Sequence, residues 1–138
     1  MGPGRQALGR ESGLIGERSA LAGLNVIDLS QRFSHYCGKL FADMGADVIL
    51  VEKPGSGCAL RAEAPFIGDR ADPEFSIPFF YFNTSKRGVT LDLDHGDGRA
   101  LFRTLASVAD LVIEDRVPGE LMRSASARTR WRSCARHW

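Results

Sequence analysis

The sequence predicts an α/β protein, a Rossmann-like parallel sheet with flanking helices, assembled from two strand–helix–strand units. Three observations carry this. Within residues 21–52 (LAGLNVIDLSQRFSHYCGKLFADMGADVILVE), a short β-rich run, a helical segment closed by glycine and a continuous aliphatic run follow one another. A strand, a helix and a further strand follow in the same order within residues 89–114. Between the two units, residues 54–78 form a connection rich in Gly, Pro and Asp.

Taken in order, residues 25–29 (NVIDL) read as the first strand, and residues 36–44 as a helix with Leu40, Phe41 and Met44 on one side. Ser34 stands where its hydroxyl can cap that helix. Gly45 ends it, because glycine adopts the left-handed cap conformation without a Cβ clash. Residues 47–52 (DVILVE) have the unbroken aliphatic character of a strand buried on both faces, as a parallel sheet requires. In the second unit, residues 89–93 give a strand, residues 97–107 a helix with Leu101, Leu105 and Val108 on one face, and residues 111–114 a further strand. The connection at 54–78 is long for a compact domain, a length that marks a loop covering a ligand or meeting a partner.

The chain has 138 residues, room for one domain of ordinary size, about 100–150 residues. With 43% hydrophobic and 25% charged residues it has a globular composition, and no apolar run approaches the roughly 20 residues of a membrane span. The first 20 residues mix Arg with Glu and lack a continuous apolar region, so they read as a flexible leader and not as a secretory signal. Cys37, Cys58 and Cys134 are odd in number and lack metal-ligand spacing, which fits reduced thiols in a cytoplasmic protein and no metal site.

Several features invite a specific chemistry and carry little. Gly55-Ser56-Gly57 follows a strand, but Leu60 occupies the next glycine position of a dinucleotide fingerprint. No Walker A motif is present. Lys86 and Arg87 are adjacent cations without interleaved aromatics, so they read as structural or interface charges and not as a nucleic-acid patch. His35 stands near a helix N-terminus, where the dipole disfavours imidazolium, and Cys37 reads as a packed helix residue.

Three motifs in order are more specific: residues 45–57 (GADVILVEKPGSG), residues 81–93 (YFNTSKRGVTLDL) followed by Gly98-Arg99, and residues 109–119 (ADLVIEDRVPG). Together they resemble the N-terminal portion of the class III CoA-transferases, the formyl-CoA and carnitine CoA-transferase type also called CaiB/BaiF. The resemblance covers residues 21–123, so the sheet would be incomplete relative to the full family fold.

The resemblance implies transfer of CoA between an acyl-CoA and a carboxylic acid. In this family an aspartate attacks the donor thioester, giving a mixed anhydride and CoA thiolate, and the thiolate returns to form an aspartyl-CoA thioester. That aspartate lies beyond position 123 in full-length members, and none of the aspartates here falls in a match to its segment. No catalytic residue is therefore assigned. CoA or acyl-CoA would be substrate, a carboxylic acid the acceptor, and no metal, nucleic acid or membrane is implied. Full-length relatives form interlocked homodimers.

The N-terminal part of the family supplies the nucleotide end of the CoA site. Lys53 matches a family Arg or Lys that meets the nucleotide, and Leu91 matches a residue that packs against CoA; a solvated lysine and a core leucine are the alternatives. Asp115 and Arg116 stand where the family has Asn and Phe, so a neutral donor–acceptor becomes an anion unfavourable to phosphate, with Arg116 able to offset it. Arg123 matches a family arginine able to pair with phosphate bidentately. Arg32 lies in a first loop that departs from the family's Ala-Gly-Pro run, and either faces the nucleotide or is solvated.

Residues 124–138 (SASARTRWRSCARHW) carry four arginines and no acid; without them the chain has 14 Lys and Arg against 17 Asp and Glu, a net charge of −3. This segment has no family pattern and reads as out-of-frame translation ending at a chance stop. The alternative is a genuine basic extension. Three functions are thus open: a transferase fragment lacking its aspartate, a stand-alone CoA or nucleotide-binding module, and a basic-tailed interaction protein.

Overall fold

A computed structural model describes residues 19–118. The segment at 124–138, Arg123 and all but the end of the leader lie outside the described residues. The elements are β1 (Asn25–Asp28), α1 (His35–Asp43), β2 (Asp47–Glu52), α2 (Ile77–Asn83), β3 (Arg87–Thr90), α3 (Gly96–Ala106) and β4 (Leu111–Ile113). The strands pair in the order β3-β2-β1-β4, every pair parallel. Val26 lies opposite Val48 on one side and Leu111 on the other, and Glu52 lies opposite Thr90. This is the α/β arrangement with flanking helices that the sequence predicts.

Alternation along the strands divides the core into two layers. Ile27 and Leu29 join Val51, Leu93 and Phe102 on one face of the sheet, closed by α3. Val26 joins Ala42, Ala46, Val48 and Ile113 on the other, closed by α1. Phe102 is 1% exposed; burying such a side chain stabilises the fold by roughly 1.5–3 kcal/mol. No helix among the described residues is long and apolar enough to cross a membrane.

The inward faces of the helices match the apolar periodicity only in part: Phe41 and Leu105 pack against the core, and their companions do not. In α1 the buried residues are His35, Gly38 and Ala42, while Leu40 and Met44 are more than 40% exposed. The cause lies beneath the helix. By alternation Asp28 shares the face of Val26, and its buried carboxylate pairs with Lys86 Nζ at 2.8 Å. A Cβ on Gly38 would overlap that carboxylate, so the helix approaches the sheet through its small residues. Lys86 Nζ also donates to the His35 carbonyl at 2.9 Å and to Asn83 Oδ1 at 2.8 Å, while His35 Nδ1 lies 3.0 Å from the same Asn83 oxygen. Lys86 is thus a structural charge, and Arg87 pairs at the surface with Asp47. In α3, Gly98 and Phe102 face inward while Leu101 and Val108 are exposed. Gly98 sits against the Asp92 backbone, where a Cβ has no room.

Other local expectations are corrected. Ser34 is the N-cap residue of α1 but its hydroxyl makes no cap bond, since its own backbone is helical, with φ −87° and ψ −2°. Cys37 is exposed, on the outer side of α1. The third strand starts two residues before and ends three residues before the expected 89–93; Leu91 extends the ladder by one bond to the Glu52 carbonyl at 2.9 Å, and Leu93 drops into the core. Gly45 does end α1, at φ +95°: its N–H donates to the Ala42 carbonyl and that of Ala46 to Phe41, both at 3.0 Å.

The segment at 54–78 is tied down at two buried points. Ser76, at the N-cap of α2, donates from Oγ toward the carbonyls of Leu60 and Glu63 at 2.9 and 2.8 Å and accepts from Phe79 N–H. Arg61 clamps both oxygens of Glu52, at 2.7 and 2.9 Å, and its guanidinium lies 3.7 Å from the centre of the Phe79 ring.

Candidate functional site

In an open parallel sheet, the crevice beyond the carboxyl ends of the strands is the natural ligand site, at the point where strand order reverses. Here that point lies between β1 and β4. The loop leaving β1 presents a run of backbone N–H groups, and Asp115, just past β4, fills them. Its carboxylate accepts from the N–H groups of Gln31, Arg32, Phe33 and Ser34 at 2.8, 2.8, 2.7 and 3.3 Å. Burial alone would raise the Asp115 carboxyl, but these donors outweigh it and hold the group below its ordinary range. The substitution that the sequence flags as unfavourable to phosphate therefore has a structural role: it closes the first loop onto the fourth strand and occupies the amides a phosphate would seek.

Beside this junction a cleft of about 480 Å³ opens along the carboxyl edge. Lys53, from the end of β2, and Leu91 and Leu93, from the turn after β3, form one side; Asp115, Arg116 and Val117 form the other. Four of the six residues singled out from the sequence, Lys53, Leu91, Asp115 and Arg116, therefore share one cavity. Arg32 does not line it: its guanidinium turns to Glu63 at 3.5 Å. Arg123 lies outside the described residues.

Two acids of this cleft escaped sequence analysis. Glu52 is buried and held by Arg61 and by the Cys58 N–H at 3.0 Å. Burial opposes its ionisation, yet the Arg61 pairing prevails and its carboxyl stays below the usual value. The neighbouring Cys58 thiol is pushed up to about 11 by burial and by the Glu52 charge, so it is inert at neutral pH. Asp94, from the turn after β3, pairs with the neighbouring Lys53, Oδ2 to Nζ, at 2.7 Å. The pairing holds the Asp94 carboxyl below and the Lys53 ammonium above their ordinary ranges. The second aspartate of Leu91-Asp92-Leu93-Asp94, at the end of a strand bordering the sheet, was the available signal for Asp94.

The cleft thus combines aliphatic walls, two cations and three acids, of which Glu52 and Asp115 are committed to internal partners. It suits a ligand with an apolar, hydrogen-bonding body and an anionic end. No acid in it has the free, dry carboxylate that nucleophilic attack requires.

Comparison with known proteins agrees with this architecture. The family model described as CoA-transferase family III matches residues 21–135. The chain is 44% identical over 96 residues to the succinyl-CoA:(R)-benzylsuccinate CoA-transferase subunit BbsE of Thauera aromatica, covering 70% of this chain and 23% of that protein. It is 41% identical over 97 residues to the succinyl-CoA:mesaconate CoA-transferase of Haloarcula hispanica, covering 70% and 24%. Among solved structures, a CaiB/BaiF family protein from Brucella suis superposes with a TM-score of 0.67 at 33% identity, over 77% of this chain and 28% of that one. A hypothetical protein from Mycobacterium tuberculosis gives 0.70 at 31% identity, over 83% and 30%. The chain spans about a quarter of the length of the curated relatives it matches. On its fold, its carboxyl-edge cleft and these matches, the chain belongs to the family III CoA-transferases.

Proposed function

We propose that this chain is the nucleotide-binding part of a cytoplasmic CoA-transferase that moves CoA between an acyl-CoA and a carboxylic acid. The observation that carries the reading is the convergence of Lys53, Leu91, Asp115 and Arg116 on one cleft at the carboxyl edge of the sheet. There the aliphatic walls receive the base and ribose of CoA, and Lys53 and Arg116 meet its phosphates. Arg123, not among the described residues, adds a bidentate phosphate contact in this reading. Arg32 contributes only through its backbone N–H to Asp115.

The acids of the cleft all have internal partners, so the attacking carboxylate comes from the part of the family's length that this chain does not span. The 138-residue chain then binds CoA and transfers nothing alone. Two of the strands, β3 and β4, border the sheet among the described residues, which favours a part awaiting the rest of an assembly over a stand-alone module. That assembly is a homodimer in this proposal.

Titration calorimetry of the full 138-residue chain with CoA tests it. Saturable binding, weakened by Lys53→Ala, is expected. A folded chain that takes up no CoA at millimolar concentration refutes it.

A further inference from the structure

We propose that Asp94 sets the phosphate affinity of the cleft: its carboxylate, held against Lys53, is a built-in competitor that an incoming phosphate must displace. This rests on the CoA reading of the cleft and adds a specificity-determining residue to it.

The cleft holds the acids Glu52, Asp94 and Asp115 and the cations Lys53 and Arg116. Glu52 is closed off by Arg61, and Asp115 by four backbone amides. Asp94 directs its charge at a cation of the cleft, Lys53, and that pair stays open to solvent, with side chains 56% and 70% exposed. A ligand can therefore reach both groups.

An exposed ion pair is ordinarily weak, because two mobile side chains must be ordered to form it. Here the aspartate is placed beforehand. Its N–H donates to Asp92 Oδ1 at 3.0 Å, and its carbonyl accepts from Arg99 Nη1 at 2.8 Å. The same arginine nitrogen reaches the Leu93 carbonyl at 3.3 Å, so the turn after β3 is fixed on both sides of the carboxylate. The negative charge of Asp92 also acts on Lys53.

A phosphate at Lys53 must break the Asp94 contact and then sit beside its charge. An uncharged nucleoside in the aliphatic part of the cleft meets neither cost. The cleft therefore discriminates by ligand charge, and Asp94 supplies the discrimination.

The test is calorimetry of the full chain with adenosine 3′,5′-bisphosphate and with adenosine, on wild type, Asp94→Asn, Lys53→Gln and the double variant. Asp94→Asn should tighten bisphosphate binding by roughly fivefold at low salt, leave adenosine unchanged, and lose most of its gain at high salt. In the Lys53→Gln background the gain should largely disappear. Should Asp94→Asn fail to fold, Asp94→Ser serves the same comparison. Binding by wild type with no gain, or a loss, on removing the Asp94 charge overturns this inference alone. If no variant binds either ligand or CoA, the CoA reading falls and this inference with it.

Discussion

Replacing Lys86 with Met should be among the most destabilising single changes in the chain, because it leaves a carboxylate buried without a counter-charge. Both partners of the Asp28–Lys86 pair are at most 1% exposed. Lys86 Nζ serves three acceptors, Asp28 Oδ2, the His35 carbonyl and Asn83 Oδ1, at 2.8, 2.9 and 2.8 Å. Methionine keeps an unbranched chain one atom shorter and donates to none of them. The Ser30 N–H, at 2.9 Å from the other Asp28 oxygen, would remain to that carboxylate. Removing one partner of a buried pair costs about 3–5 kcal/mol, a large part of the roughly 5–15 kcal/mol that holds a domain folded. The assay is urea unfolding followed by far-UV circular dichroism on wild type, Lys86→Met, Asp28→Asn and the double variant. Each single variant should lose several kcal/mol, and the double should lose much less than their sum, since it buries no unpaired ion. Losses below about 1 kcal/mol, or singles that simply add, would refute the reasoning.

Other outcomes follow from the same structure. Phe102→Ala should cost about 3–5 kcal/mol in urea unfolding, because Phe102 fills the layer between α3 and the sheet. Gly38→Ala should lower the melting temperature despite alanine's higher helix propensity, since the new methyl meets the Asp28 carboxylate; an unchanged or raised temperature would contradict the close approach of α1. Asp115 has a depressed folded-state pKa, so the stability it adds is present above the ordinary carboxylate value of about 4 and is lost as pH falls through the folded value. Asp115→Asn should therefore unfold at lower urea than wild type at neutral pH, with the gap narrowing in acid. A gap independent of pH would mean that the charge on Asp115 does not matter.

The sheet was legible because its signals are local. The aliphatic run of β2, the glycine after α1 and the turn chemistry around them depend on neighbouring residues only. The inward face of α1 was not, because it is decided by a partner remote in sequence: Asp28 and Lys86 are 58 positions apart, and their burial demands Gly38 above them. Helical periodicity sees Leu40 and Met44 and misses the charge beneath. α2 (Ile77–Asn83) was missed because IPFFYF is almost wholly apolar and shows no clear alternation of apolar and polar sides before Asn83, although Ser76 and Pro78 marked its start. For the site, motif resemblance singled out Lys53, Leu91, Asp115 and Arg116, which line one cleft. It could not show that Asp115 binds the β1–α1 loop, that Arg32 turns to Glu63, or that Asp94 faces Lys53, because each depends on side-chain direction across the sheet edge.

The central claim is that the carboxyl-edge cleft receives the nucleotide end of CoA, and mapping CoA onto the ¹⁵N-labelled 138-residue chain by amide chemical-shift perturbation tests it most directly. The account predicts saturable shifts concentrated at Lys53, Ser56, Gly57, Leu91, Asp94 and Arg116, with the outer side of α1 around Cys37 and Leu40 unaffected. Shifts centred on the exposed α1 side, or none at any CoA concentration in a folded protein, would contradict it.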